Sequence, residues 1–132
     1  MKNLEKKLKG AFLHSFRNTQ QILEIELSND AYEEIIFFID CTLSCSSKEI
    51  DTIVDTLNKM DSDVAGIVYF IPANNKSISK VIYKSQTLEL IFDNGYVIYF
   101  HLEDNIYGEP LSISFRQNMN DNNIESVDIT PS

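Results

Sequence analysis

The tripeptide Asp93-Asn94-Gly95 constrains the fold most, because it separates two stretches of alternating apolar residues. Asp-Gly and Asn-Gly sequences are typical of tight β-hairpin turns, where the backbone needs positive φ. A three-residue loop over 93–95 aligns the apolar side chains of both strands on one face. A shift of one residue turns every side chain to the other face and places Glu89 among apolar groups. The sequence therefore predicts a hairpin with Phe92 opposite Tyr96 and Gly95 at positive φ.

Other short stretches also have the alternating or β-branched pattern of strands. The clearest is residues 21–27, where Leu23, Ile25 and Leu27 alternate with Glu24 and Glu26. Residues 32–43 begin like a capped helix but continue as a β-branched and aromatic run, which favours a strand over a helix. The remaining predicted strands cover residues 12–17, 66–71, 78–84, 111–115 and 124–129.

Two segments have the pattern of helices. Ser46 and Glu49 form a capping box, and the apolar residues that follow recur at helical spacing, which predicts a main helix over about 47–60. Residues 1–9 predict a short N-terminal helix that Gly10 ends. The fold class expected is α+β, a mostly antiparallel β-sheet of about six to eight strands with these two helices. A chain of 132 residues is expected to form a single domain, residues 1–132.

The charge balance limits the partners that this chain can have. The formal net charge is −9, from 11 basic and 20 acidic residues, and five of the basic ones lie in residues 1–17. Net acidity repels nucleic acid and anionic lipid and attracts basic protein surfaces. No apolar run reaches the roughly 20 residues of a membrane helix. No apolar core follows Lys9, as a signal peptide requires, so we expect a cytoplasmic protein with no membrane partner.

The residue types of common catalytic and metal sites are not found at the required spacings. Cys41 and Cys45 are four residues apart, unlike a CxxC pair, and His14 and His101 are isolated. His101 with Glu103 and Asp104 suggests a base with an orienting acid, but an ordinary strand-end histidine explains it more simply. With only four glycines, the chain has no phosphate-binding loop. We expect no metal, no cofactor and no enzymatic activity.

An acidic loop with an aromatic residue is the best candidate for binding a partner. It connects two predicted strands at 103–110, and a weaker acidic pair lies next to Tyr32. Tyrosine provides rigid contact area and carboxylates attract basic groups, although a plain solvated loop is the alternative. The predicted partner-binding residues are Glu103, Asp104, Tyr107 and Glu109, with Glu33 and Glu34 in support.

Residues 87–115, TLELIFDNGYVIYFHLEDNIYGEPLSISF, resemble a segment of small bacterial immunity proteins: strand, Asn-Gly turn, strand, acidic loop with Tyr and Glu, strand. These include the immunity partners of contact-dependent growth-inhibition and related polymorphic toxins, and residues 8–27 fit the same resemblance. The resemblance implies a non-enzymatic inhibitor that binds one cognate toxin domain, typically a nuclease with a basic cleft. The alternative is a small acidic interaction or scaffold module unrelated to toxins, including one that dimerises through a sheet edge. The oligomeric state and the toxin activity stay open.

Overall fold

Two antiparallel sheets account for most of the chain that the computed structural model describes, namely residues 2–18, 22–46, 67–70, 77–84, 86–103, 109–120 and 122–131. A short helix, α1, spans Lys2–Leu8. The strands are Phe12–Asn18 (β1), Leu23–Ser28 (β2), Glu34–Ile39 (β3), Thr42–Cys45 (β4), Ile67–Phe70 (β5), Ile78–Lys84 (β6), Thr87–Phe92 (β7), Val97–His101 (β8), Leu111–Arg116 (β9) and Glu125–Ile129 (β10).

The six-stranded sheet has the order β10-β9-β3-β2-β1-β5, and the four-stranded sheet has the order β4-β8-β7-β6. The prediction of a mostly antiparallel β fold with a short N-terminal helix is therefore confirmed. The expected six to eight strands were too few, since ten are present in the described residues alone. The main helix predicted over 47–60 is not confirmed, because that segment lies outside the described residues.

Residues 32–43 are extended, as favoured, but they are not one strand. β3 belongs to the six-stranded sheet and β4 to the four-stranded sheet, and the chain crosses between them at Asp40 and Cys41. Ile39 and Leu43 are both buried, so the period of two is kept through the crossing. The hydrophobic alternation therefore does not indicate where the chain passes from one sheet to the other.

The core lies between the two sheets. Inward residues of both sheets form one cluster of buried side chains, as expected for sheets packed face to face. The rings of Phe37 on β3 and Phe100 on β8 stack across it, with centroids 5.5 Å apart. Burial of each such side chain stabilises the fold by about 1.5–3 kcal/mol.

The β7–β8 hairpin has the predicted register. Phe92 N donates to the Tyr96 carbonyl at 2.8 Å, and Gly95 N donates to the Phe92 carbonyl at 2.9 Å. Gly95 has a φ of 87°, which confirms the prediction for that residue. Leu88 and Leu90 face the core, as the three-residue loop requires.

Helix α1 ends at the expected place. Leu4 and Leu8 share a buried face, and Gly10 has a φ of 74°, as is common just after a helix. The side-chain amide of Asn29 donates to the carbonyls of Lys7 and Lys9, at 2.7 and 3.2 Å. These bonds satisfy carbonyls that the helix end leaves without partners, and they join α1 to the β2–β3 turn.

Helix α1 also contacts both sheets. Lys7 Nζ lies 2.6 Å from the Glu125 carboxylate on β10 and 5.1 Å from the centre of the Phe115 ring on β9. On the other side, the Glu5 carboxylate accepts a hydrogen bond from Val81 N on β6 at 3.1 Å. The helix thus bridges the two sheets on the side where β6 and β10 lie.

Candidate partner-binding site

Two connections between the sheets meet at one end of the molecule. The chain passes from β3 to β4 through Asp40, and from β8 to β9 through residues 102–110. Asp40 N donates to the Pro110 carbonyl at 2.9 Å, which ties the two connections together. We call residues 40–42, 101–103, 109 and 110 the crossover end.

The predicted acidic loop begins and ends at the crossover end. On one side Leu102 is fully buried, and its N–H donates to the Gln86 carbonyl at 2.9 Å. On the other side Pro110 is buried and leads into buried Leu111. Glu103 and Glu109 lie next to these anchors and are exposed, whereas Asp104 and Tyr107 lie outside the described residues. The loop therefore starts and ends on fixed backbone.

The carboxylates of Glu103 and Glu109 form no ion pair with the part of the chain that the structure describes. Asp40, which is half-buried, adds a third carboxylate to the crossover end. Elsewhere, each basic residue in a described ion pair has one acidic partner. These pairs are Lys7–Glu125, Arg17–Glu24, Lys84–Glu89 and Arg116–Glu34. The two exposed glutamates are therefore available to an external basic group.

His101, which belongs to the crossover end, contacts a serine. Its Nε2 is 2.8 Å from the Ser44 hydroxyl on the neighbouring strand β4. Serine hydrolases also need an acid on the histidine ring and donors for an oxyanion. Among the described hydrogen bonds, none joins His101 to a carboxylate.

Glu33 and Glu34 lie at the opposite end of β3. Glu34 is 20% exposed, and its carboxylate is 3.7 Å from Arg116 Nε. Glu33 is exposed and accepts a hydrogen bond from Met119 N at 3.0 Å. Because a strand rises about 3.4 Å per residue, Glu34 is about 17 Å from the end of β3 that meets the crossover end. The structure does not bring the two groups of candidate residues together.

An ion pair on the outer face of the six-stranded sheet was missed by the sequence reasoning. The alternation of residues 21–27 predicts an exposed Glu24, but its exposed fraction is only 8%. Its carboxylate accepts a hydrogen bond from the guanidinium of Arg17, directly opposite on β1. That bond raises the pKa of Arg17 above its usual value, and Glu26 and Glu34 add to the effect. A register drawn for the β1–β2 hairpin would have paired the two residues.

The described residues contain no cluster of three His, Cys, Asp or Glu side chains that could hold a metal ion. Cys41 and Cys45 are not joined by a disulfide.

In the described part of the chain, no helix is long and apolar enough to cross a membrane. Comparison with protein-family models, curated proteins and solved structures finds no significant match to this chain. Its function is therefore inferred from the geometry and charge of the site.

Proposed function

We propose that this protein is a non-enzymatic immunity protein of the cytoplasm, which binds a basic surface of a cognate toxin domain through the crossover end. The observation that carries the proposal is the pair of exposed glutamates, Glu103 and Glu109, on anchored backbone and without described ion-pair partners. A nuclease that binds phosphate through a basic cleft is the kind of toxin that such a surface suits.

Anchoring matters because ordering a loop upon binding costs free energy. Each immobilised side chain costs about 0.5–1.5 kcal/mol when it is free beforehand. At the crossover end, buried Leu102 and Pro110 already fix the two sides of the loop. Binding therefore loses less free energy in ordering the chain at the two ends of the loop.

Excess negative charge also favours fast association. The chain carries a net charge of −9, and ion pairs within the molecule leave that net charge unchanged. A potential of this sign steers a basic partner and raises association rates to as much as about 10⁸–10⁹ M⁻¹s⁻¹ at low salt. Rapid capture suits an inhibitor that must bind a toxin before the toxin acts.

A protection assay tests the proposal. The toxin domain that the proposal expects in the neighbouring gene is expressed together with wild type, with Glu103→Lys/Glu109→Lys, or with the control Asp30→Lys/Asp93→Lys. The control changes the charge equally at two exposed positions away from the crossover end. We expect wild type and the control to restore growth and the first variant to fail while remaining folded by circular dichroism. Equal protection by all three proteins would refute the proposed site, and no protection by wild type would refute the immunity function.

A further inference from the structure

The two sheets have four edge strands, β10, β5, β4 and β6. The β6 edge is covered: Ile78 N donates to the Ala11 carbonyl at 2.9 Å, and Gly10 N donates to the Ile78 carbonyl at 2.8 Å. The Glu5 carboxylate accepts from Val81 N farther along the same strand. The chain continues from β4 and β5 into residues 47–66 and 71–76, which lie outside the described residues.

Strand β10 is different. It is described over its whole length, and within the described residues it pairs with β9 alone. A strand at the end of a sheet has one row of N–H and C=O groups directed away from its neighbour. Proteins commonly protect such rows with lysine, proline or a covering segment, and Glu125–Ile129 contains neither lysine nor proline. Described contacts from other elements lie at its two ends, where Lys7 contacts the Glu125 carboxylate and the Tyr83 hydroxyl donates to the Thr130 carbonyl.

The side chains of β10 indicate what kind of strand fits beside it. Val127 and Ile129 lie on the core side, where Ile129 is 2% exposed. On the outer side, Asp128 is exposed and forms no ion pair with described residues. An added strand therefore meets the partly exposed Val127 on one face and, on the other, the Asp128 carboxylate, which no described residue pairs with.

We propose that the edge of β10 with which no described residue pairs accepts an extended basic segment of a partner protein as an additional antiparallel strand. Main-chain hydrogen bonds hold such a strand, and the side chains at alternate positions select it. In a segment of alternating apolar and basic residues, the apolar side chains lie on the core side of β10 and the basic ones on its outer side. A second copy of this chain fits less well. Antiparallel pairing about Asp128 would bring two Asp128 carboxylates together, and pairing about Val127 would give Asp128 only a serine opposite, between molecules that each carry a net charge of −9. The inference is independent of the proposed function, since it concerns a different surface.

The test uses the full-length protein, labelled with ¹⁵N, and an end-blocked peptide of alternating Lys and Val, about nine residues long to exceed β10. We expect binding to slow amide exchange in β10 at least about tenfold, because amides within a ladder open rarely. Asp128→Lys should weaken binding at least about fivefold, whereas Asp30→Lys, with the same charge change at another exposed site, should not. Two further versions of the peptide, N-methylated along one edge or the other, separate strand pairing from simple charge attraction. We expect only one of them to lose binding.

Equal binding by both methylated peptides would overturn the inference, as would peptide effects confined to the crossover end. The inference also fails if sedimentation shows a dimer whose β10 amides are already protected, since a second copy would then occupy the edge. The comparison of the two methylated peptides uses wild-type protein, so this test does not depend on the folding of a variant.

Discussion

Replacement of Gly95 by valine isolates the backbone strain of the β7–β8 turn. Gly95 is exposed, its φ is 87°, and a Cβ built there meets no atom within 4 Å. The cost of the substitution is therefore conformational, with no contribution from a clash. A side chain at positive φ costs about 1–2 kcal/mol, and the branched Cβ of valine restricts the chain further. We expect Gly95→Val to lower the free energy of unfolding by about 2–3 kcal/mol.

Urea unfolding followed by circular dichroism measures this cost. We expect about 1–2 kcal/mol for Gly95→Ala and less than about 1 kcal/mol for Gly95→Asn, because asparagine tolerates positive φ best. A loss of 2–3 kcal/mol corresponds to roughly 8–12 °C in the melting temperature of a domain of this size. Gly10→Val is a matched second site, since Gly10 has a φ of 74° and equally open space.

The order of the three variants is the decisive result. If Gly95→Val, Gly95→Ala and Gly95→Asn all unfold like wild type, residue 95 does not need positive φ. The three-residue loop and the register that follows from it would then be wrong. Equal and large losses for all three variants would also contradict the reasoning, because strain at positive φ distinguishes asparagine from valine.

Two further outcomes follow from polar side-chain contacts that are partly buried or exposed. We expect Arg17→Met to cost about 2–3 kcal/mol in urea unfolding, because it leaves the 11%-exposed Glu24 side chain without its partner; the value is reduced because Arg17 is itself 43% exposed. Arg17→Met/Glu24→Met should recover part of the loss, and no recovery would contradict a direct pairing. We expect Asn29→Ala to cost about 2 kcal/mol by removing two bonds to the end of α1 and two within the β2–β3 turn. Asn29→Asp keeps the acceptor of the turn bonds and should lose about half as much. Wild-type stability of Asn29→Asp would show that the bonds to α1 contribute nothing.

The sequence predicted the features that local chemistry decides. The register of the 93–95 hairpin and the end of α1 at Gly10 depend on neighbouring residues and on the φ values that glycine allows. The crossing at Asp40 was not predictable in this way, because the hydrophobic alternation continues through it. Only the pairing of β3 with β9, distant in sequence, separates the two strands into different sheets.

The candidate site was predicted only in part, because local patterns indicate which residues are exposed but not which distant strands pair. Exposure of Glu103 and Glu109 follows from their place in a polar connection between two well-patterned strands. The ion pair between Glu34 and Arg116 follows from the β3–β9 register, in which the two residues are directly opposite. The β3–β9 register cannot be predicted from neighbouring residues. The sequence analysis therefore named Glu34 as a partner-binding residue, although Arg116 already pairs with it.

Association kinetics of the cognate toxin domain with this protein test the crossover end most directly. Rates are measured by stopped flow at several salt concentrations for wild type, Glu103→Lys/Glu109→Lys and the control Asp30→Lys/Asp93→Lys. We expect the first variant to associate at least about tenfold more slowly at low salt, with a flatter salt dependence, because two steering charges are reversed. The control should lose far less. Association of the first variant at the wild-type rate, with the same salt dependence, would contradict the assignment of the crossover end as the binding surface.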